Sequence, residues 1–458
     1  MIMTVLTVVL LSALAFSENL MPFTWLITGT VLAIAYISGT YVLGSRWTHS
    51  DTGVVLQNLT VYSILINSIT AIGLYWLFHS FTGTFHEPRA ADSFQYHDNA
   101  VQIAAQFRNL SFNFDDILRG YGIDDSGYNL FLGFVYSIFG TDPIAGRIAN
   151  VVLATLSMRL LFKSALLLYN RQVAQTAALL FMLSPLTLYF VGVTLKEITM
   201  VYLVMLSFYH LYSAYVQPKL QMKTLVVAML AVLGLFFFRV VLGVSMVISF
   251  GLFLSVNFFN RSTVRKRRVL IVAFISLLIL IIVLASSELG TRLQELYAIS
   301  GEQMTRELKD KSIKGGFSLQ RGIIAPLLFI GILIAPFASL VYTDSQVTQA
   351  WLMSPLLIKN ILAIFTLLGL YYSIKKRWKQ DSFAALALIV YLLVLAYSAQ
   401  TTSPRYQFAV YPFLMLFTAH GLVRYRGIRI FHLGLYCLII VGVIMAWNYF
   451  KLSIRGLV

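Results

Sequence analysis

The chain has 458 residues, of which 59% are hydrophobic and only 11% charged, and it carries a formal net charge of +16. That much apolar surface cannot be hidden in one soluble core, and runs near the ~20 apolar residues needed to cross a bilayer recur along almost the whole length. A soluble enzyme is therefore excluded. The positive charge does not point to nucleic acid, because the cations sit in short clusters between apolar runs, where membrane topology selects Lys and Arg on the cytoplasmic side. The single cysteine, Cys437, permits neither a disulfide framework nor a cysteine-based metal site within one chain.

In chain order, apolar spans are expected at 2–16, 22–44 and 58–81. Residues 1–16 lack the basic start and small-residue cleavage pattern of a signal peptide, so they read as a first span or signal anchor. A polar loop, 82–143, follows. Further spans are expected at 144–168, 172–193, 195–216, 223–238, 240–258 and 269–286. A second polar segment, 287–321, includes the charge-rich helical stretch Glu302–Lys314, whose alternating signs read as a solvated face. The remaining apolar runs are 322–342, 350–373, 382–398, 404–423 and 430–450.

Three basic clusters set the orientation: Arg261/Arg265/Lys266/Arg267/Arg268, Lys375/Lys376/Arg377/Lys379 and Arg424/Arg426/Arg429. Placing all three in the cytoplasm puts both long polar loops outside. One segment between the first two clusters then cannot cross completely. The run 322–342, with Pro326, Gly331 and Pro336, is expected to be re-entrant or broken, since non-helical backbone survives at membrane depth only where protein or a wet cavity covers it. The expected fold is an all-α polytopic membrane protein, a bundle of about thirteen transmembrane helices with extracytoplasmic surface helices. It divides into an N-terminal hairpin (1–57), a core (58–220) and a C-terminal region (221–458).

The first polar loop stands apart in charge. From His86 to Arg147 it holds Glu87, Asp92, Asp98, Asp115, Asp116, Asp124, Asp125 and Asp142 against Arg89, Arg108 and Arg119. From Asp92 onward the sequence fits a helix along the outer membrane surface, with Asp92, Tyr96 and Ala100 on one face. Asp92 then sits in the first turn, against the partial positive charge of the helix N-terminus. A carboxylate at a membrane-facing cleft can accept a proton from a hydroxyl. His97 beside Asp98 reads as a solvated pair rather than a metal site, and neither a metal nor another cofactor is expected.

The order of these features resembles the GT-C class of polyprenyl-phosphate-sugar-dependent glycosyltransferases, especially the protein mannosyltransferase and aminoarabinose transferase branch (glycosyltransferase family 39). In that branch a span leads to an outer loop with an acidic residue followed by Tyr and Ala at helical spacing, here Asp92, Tyr96 and Ala100. GYNLFLGFVYSIFGTDPIAGR, ending at Arg147, matches the aromatic-rich helix and small turn before an arginine. LSPLTLYFVGVTLKE supplies Ser184, Pro185 and Glu197, and SPRYQFAVYP supplies the late Pro-Arg-Tyr segment, Pro404 to Pro412. Two departures stand out. The family commonly has a paired Asp-Glu where this chain has Asp92-Ser93, and two N-terminal spans precede the usual first one.

The resemblance implies a sugar moved from a polyprenyl-phosphate-linked donor to an extracytoplasmic glycolipid or polysaccharide acceptor. Asp92 is then the general base, and the leaving lipid phosphate is held by cations at outer span ends, where arginine's forked, permanent charge is well suited. Lys196, Arg239, Arg321 and Arg405 occupy such ends, with Arg147 at the end of the matched loop. Glu197 positions the acceptor or a metal, or neutralises Lys196. Tyr96 and Tyr128 are candidates to line a sugar subsite or to anchor at the interface. The absence of a Gly-rich phosphate loop before a helix argues against a nucleotide-sugar donor. A polymerase or ligase using a lipid-linked glycan, and a flippase or transporter, are the competing readings. The latter would be expected to show repeats and a midplane site. The compact chain leans towards the bacterial inner membrane, with its site on the extracytoplasmic face.

Overall fold

The computed structural model describes residues 1–88, 91–111, 123–217, 221–257, 331–342, 349–397, 403–424 and 430–454, with isolated positions between 271 and 278 and residues 456–457. The basic cluster 261–268, the segment 287–321 with its Glu302–Lys314 stretch, Arg321, Arg89, Asp115, Asp116 and Arg119 lie outside the described residues.

The described chain is built from helices. They are α1 (Ile2–Ala15), α2 (Phe23–Arg46), α3 (Thr52–Thr82), α4 (Ala91–Arg108), α5 (Ile123–Phe139), α6 (Pro143–Leu168), α7 (Arg171–Met182), α8 (Pro185–Val191) and α9 (Glu197–Val216). After these come α10 (Met222–Phe238), α11 (Val240–Val256), α12 (Gln349–Tyr397), α13 (Pro404–Gln407), α14 (Tyr411–Arg424) and α15 (Ile430–Ser453). Local signals place several boundaries. Asp142 caps α6 by accepting from the Ile144 N–H at 2.8 Å, with Pro143 in the first turn, where its missing N–H costs nothing. Gly83 ends α3 in the left-handed conformation (φ +70), which releases the chain into the loop that carries the site.

Seven of the described helices are long and apolar enough to cross a membrane, or eight if the bent pair α7 and α8 is one span. Three shorter apolar helices, α1, α10 and α11, add 14, 17 and 17 residues. The expected count of about thirteen is not confirmed among the described residues, and most of the run expected at 269–286 lies outside them. The run expected as one straight span at 172–193 bends by 54° at Ser184-Pro185, where proline cannot continue the hydrogen-bond ladder. The two runs expected at 350–373 and 382–398 are joined in α12, which breaks between them at the non-helical Arg377 (φ −136, ψ 18).

This element reverses direction. Trp351 packs against the rings of Phe78 (6.2 Å) and Tyr189 (6.4 Å) at one end of the bundle. Arg377 reaches the Leu168 carbonyl and the Tyr169 ring at the other. Tyr391 then returns to the first end, where its hydroxyl donates to the Tyr406 carbonyl at 3.0 Å. It therefore supplies two antiparallel limbs.

Large apolar side chains face outward along α3 (Ile64, Leu65, Ile69, Ile72, Trp76) and α15 (Phe431, Leu435, Leu438, Ile439). Exposed apolar faces of this extent belong in lipid, and polar groups inside such a bundle must find partners within it. The segment 331–342 shows how. It is helical only over 331–334 and irregular beyond. Its backbone is met by side chains: Asn360 accepts from the Ala338 N–H at 3.1 Å and Asn448 accepts from the Leu340 N–H at 2.9 Å.

The centre of the bundle is the crossing of α12 and α14. A Cβ on Gly369 would lie 2.0 Å from the Phe417 carbonyl oxygen, and one on Gly421 would lie 2.0 Å from that of Phe365. Glycine at both positions lets the backbones touch, and the Thr366 and Thr418 hydroxyls pair at 2.6 Å beside them. Gly369→Ala and Gly421→Ala should each destabilise the protein by ~1–3 kcal/mol through overpacking, read as a lower melting temperature in detergent, whereas alanine at open Gly442 should leave it unchanged.

Candidate active site

Three segments far apart in sequence meet at one end of the bundle. Helix α4 enters from the loop after Gly83 and presents Asp92 in its first turn. Helix α9 begins at Glu197. The short helix α13 carries Arg405, whose Nη1 bonds Asp92 Oδ2 and whose Nε bonds Glu197 Oε1 at 2.5 Å. One guanidinium therefore bridges two carboxylates, but in different surroundings. The Asp92 side chain is 49% exposed and that of Glu197 is 0% exposed, with Glu197 Oε2 lacking any hydrogen-bond partner. Charge-assisted bonds of this kind are short and strong, and arginine alone offers the fork that makes both at once.

Asp92 and Arg405 open onto a cavity of about 260 Å³. Glu87, Pro88 and Ala91 from the loop and α4 line it, with Tyr189, Phe190 and Leu195 from the turn around α8 and Leu352 from α12. Two carboxyl groups and one guanidinium thus share a wall with aromatic rings, a mixture suited to a ligand that is polar at one edge and apolar on its face.

Behind this wall lies a second polar layer. Ser93 donates its hydroxyl to Glu87 Oε1 at 2.5 Å. Arg147 is fully buried, bonds the Phe85 carbonyl and lies over the Tyr75 ring at 5.2 Å and the Phe78 ring at 5.6 Å. Its role here is to hold the loop, and it does not line the cavity. Tyr75 in turn donates to the cap residue Asp142 at 3.0 Å. His97 is half-buried and Nδ1-bonded to the Tyr136 hydroxyl at 3.0 Å, so it is not the solvated partner of Asp98 that the sequence suggests. Burial pushes the Glu87 carboxyl up, against the pull of Ser93, Arg147 and Arg405. Burial, helped by His97 and Arg147, pushes His86 down to about 4.

The remaining candidates separate cleanly. Lys196 donates to the Phe238 carbonyl at 2.8 Å, and Glu197 pairs with Arg405. Arg239 stands one layer behind, its Nη1 3.2 Å from the Tyr391 hydroxyl and its guanidinium 4.5 Å over the Tyr406 ring. Tyr96 and Tyr128 are buried edge to face, 5.0 Å apart at 80°, and neither borders the cavity. Arg321 lies outside the described residues. Sequence reasoning named Glu87 only as one acid of the polar loop and did not single out Tyr189. The signal for Glu87 was the serine standing where an acidic residue was expected. Tyr189 had no signal beyond its aromatic ring.

Residues 127–285 match the family model described as dolichyl-phosphate-mannose-protein mannosyltransferase. The fold is similar to that of the archaeal oligosaccharyltransferase AglB from Archaeoglobus fulgidus in complex with an inhibitory peptide and a dolichol-phosphate. That similarity has a TM-score of 0.51 at 14% identity and covers 88% of this chain. A crystal structure of the A. fulgidus oligosaccharyltransferase tethered to an acceptor peptide with an NVT sequon gives the same score and identity over 90% of this chain. This is a GT-C fold. In both comparisons the match covers 56% of the archaeal chain, so this chain spans about half of that length. No curated protein matches it significantly in sequence. The fold is the one that the motif order implied, and the family match falls on the middle of the chain.

Two stability measurements test this geometry. Arg405→Ala leaves Glu197 buried without its bonded counter-charge, which costs ~3–5 kcal/mol, while the half-exposed Asp92 adds little. The melting temperature should fall accordingly, and adding Glu197→Gln should recover most of the loss. His86 favours its neutral form in the folded state, so its contribution is complete above pH ~6.5 and is lost as the pH falls towards about 4. His86→Gln should flatten the decline of melting temperature across that window relative to wild type.

Proposed function

We propose that this protein moves a sugar from a polyprenyl-phosphate-linked donor to a glycolipid or polysaccharide acceptor on the extracytoplasmic side of a bacterial inner membrane. The observation that carries this reading is the half-exposed Asp92 bonded to Arg405 at the mouth of a cavity. Both are needed by a displacement at a sugar carbon whose leaving group is a phosphate.

In this reading the acceptor hydroxyl oxygen attacks the anomeric carbon as its proton passes to Asp92. The bond from that carbon to the phosphate oxygen breaks, and its electron pair leaves with the polyprenyl phosphate. Arg405 meets the developing charge on that phosphate, and the phosphate competes with Asp92 for the guanidinium. Donor binding thereby loosens Asp92 as the acceptor arrives. Glu197, fully buried, holds Arg405 from behind, and Arg239 adds a second positive charge in the next layer.

Support for a lipid-linked donor comes from the matched mannosyltransferase family, whose description names dolichyl-phosphate-mannose, and from the archaeal neighbour solved with dolichol-phosphate. The same chemistry would serve a polymerase or ligase that transfers a longer lipid-linked glycan. A flippase reading has less behind it, because the carboxylates and arginine gather at one end of the bundle. Asp92→Asn keeps size and most hydrogen bonding but removes the proton acceptor. Sugar transfer in membranes should fall by ~10² to 10⁴ at matched expression, and near-normal transfer would remove Asp92 from the mechanism.

A further inference from the structure

The resemblance to the GT-C class predicts an Asp-Glu pair at the start of α4, and this chain has Asp92-Ser93. The structure fills that gap from the preceding loop. Ser93 is fully buried, and its hydroxyl donates to Glu87 Oε1 at 2.5 Å. Glu87 is itself only 8% exposed, yet it borders the same 260 Å³ cavity as Asp92 and Arg405, and its Oε2 has no hydrogen-bond partner. A structural carboxylate in this place would be expected to pair with the buried cation beside it. Arg147 instead bonds the Phe85 carbonyl, and its Nε and Nη1 have no hydrogen-bond partner. A residue at the cavity wall thus keeps a buried carboxyl oxygen with spare acceptor capacity, which a ligand entering the cavity could engage.

The wall around it says what. Tyr189 and Phe190 border the same space, so one side offers a carboxyl and the other an aromatic face. A pyranose ring presents hydroxyls at its edge and C–H groups on its face, and so matches both. We infer that Glu87, presented by Ser93, recognises the donor sugar by hydrogen-bonding one of its hydroxyl groups while Arg405 holds the adjoining lipid phosphate. The inference rests on the glycosyltransferase reading above and assigns to Glu87 the specificity for the sugar rather than the chemistry of transfer.

The test separates sugar from phosphate. Wild type, Glu87→Gln, Ser93→Ala and the swap Glu87→Ala/Ser93→Glu would each be purified in detergent. Their affinities would be measured for undecaprenyl phosphate and for the same lipid carrying mannose, glucose, galactose or N-acetylglucosamine. Wild type should bind at least one glycosylated lipid more tightly than the bare lipid, by about 10- to 100-fold for a charge-assisted contact. Glu87→Gln should erase that margin and leave affinity for bare undecaprenyl phosphate unchanged. Ser93→Ala should narrow it, and the swap, which restores an Asp-Glu pair, should regain part of it even where Glu87→Gln is poorly folded. Loss of affinity for bare and glycosylated lipids alike would overturn the proposal and make Glu87 structural. A margin that survives in Glu87→Gln, or none in wild type, would equally overturn it. Wild type that binds neither kind of lipid would overturn the glycosyltransferase reading as well, which distinguishes the two failures.

Discussion

The site depends on one guanidinium. Arg405 bonds Glu197 across 208 residues of sequence and Asp92 across 313, so the start of α4, the start of α9 and the short helix α13 are fixed relative to one another by a single side chain. Each neighbour needs it for a different reason. Glu197 has no exposure to water, and a buried carboxylate without a paired cation is too costly to keep. Asp92 remains half-exposed and could be solvated without help, so its bond to Arg405 orients it more than it stabilises it. The assembly is therefore complete only when the last third of the chain has folded back onto the first.

What positions Arg405 is itself a membrane problem. Two residues on, Gln407 accepts from the Lys359 ammonium at 2.6 Å, and that same ammonium bonds the Ile332 carbonyl at 2.7 Å and the Ala335 carbonyl. A helix that stops inside a bilayer leaves carbonyls with no water to meet them, and Lys359 meets these. The broken segment 331–342 and the arginine-bearing helix are thereby tied to one buried cation on α12. The interruption in the helix and the geometry at the cavity are coupled through a physical chain of contacts.

Much of this could be read from the residues. Composition alone required a helical membrane bundle, and the spacing of Asp92, Tyr96 and Ala100 located a helix with the aspartate in its first turn, where it stands. Segment 322–342 advertised its break through two prolines and a glycine, and its described end does leave the helix. Other features were hidden because they are relations between distant residues. The reversal of α12 at Arg377 falls within the basic cluster that separated the two expected runs, but the contacts to Leu168 and Tyr169 that hold the turn could not be read from the residues. His97 looked solvated because its partner, Tyr136, lies 39 residues away on another helix. Glu87 was one acid among many in a polar loop until Ser93 closed on it.

Exposure divides the acidic residues of the site into roles that their identity could not. Proton transfer needs a carboxylate that an incoming hydroxyl can reach, and among Asp92, Glu87 and Glu197 only Asp92 is both open and bonded to a cation. Glu197 faces no solvent and can act on a substrate only by fixing Arg405. Glu87 lies between these extremes, buried from bulk water but bordering the cavity. A group so placed gives up its hydration before any ligand arrives, and a bond to it then discriminates strongly against ligands that lack the matching hydroxyl. In the proposed reading, catalysis, recognition and support fall on three carboxyl groups at increasing depth, and the depth of each follows from the element that carries it: the exposed first turn of α4, the loop folded against that turn, and the start of a helix at the bundle core.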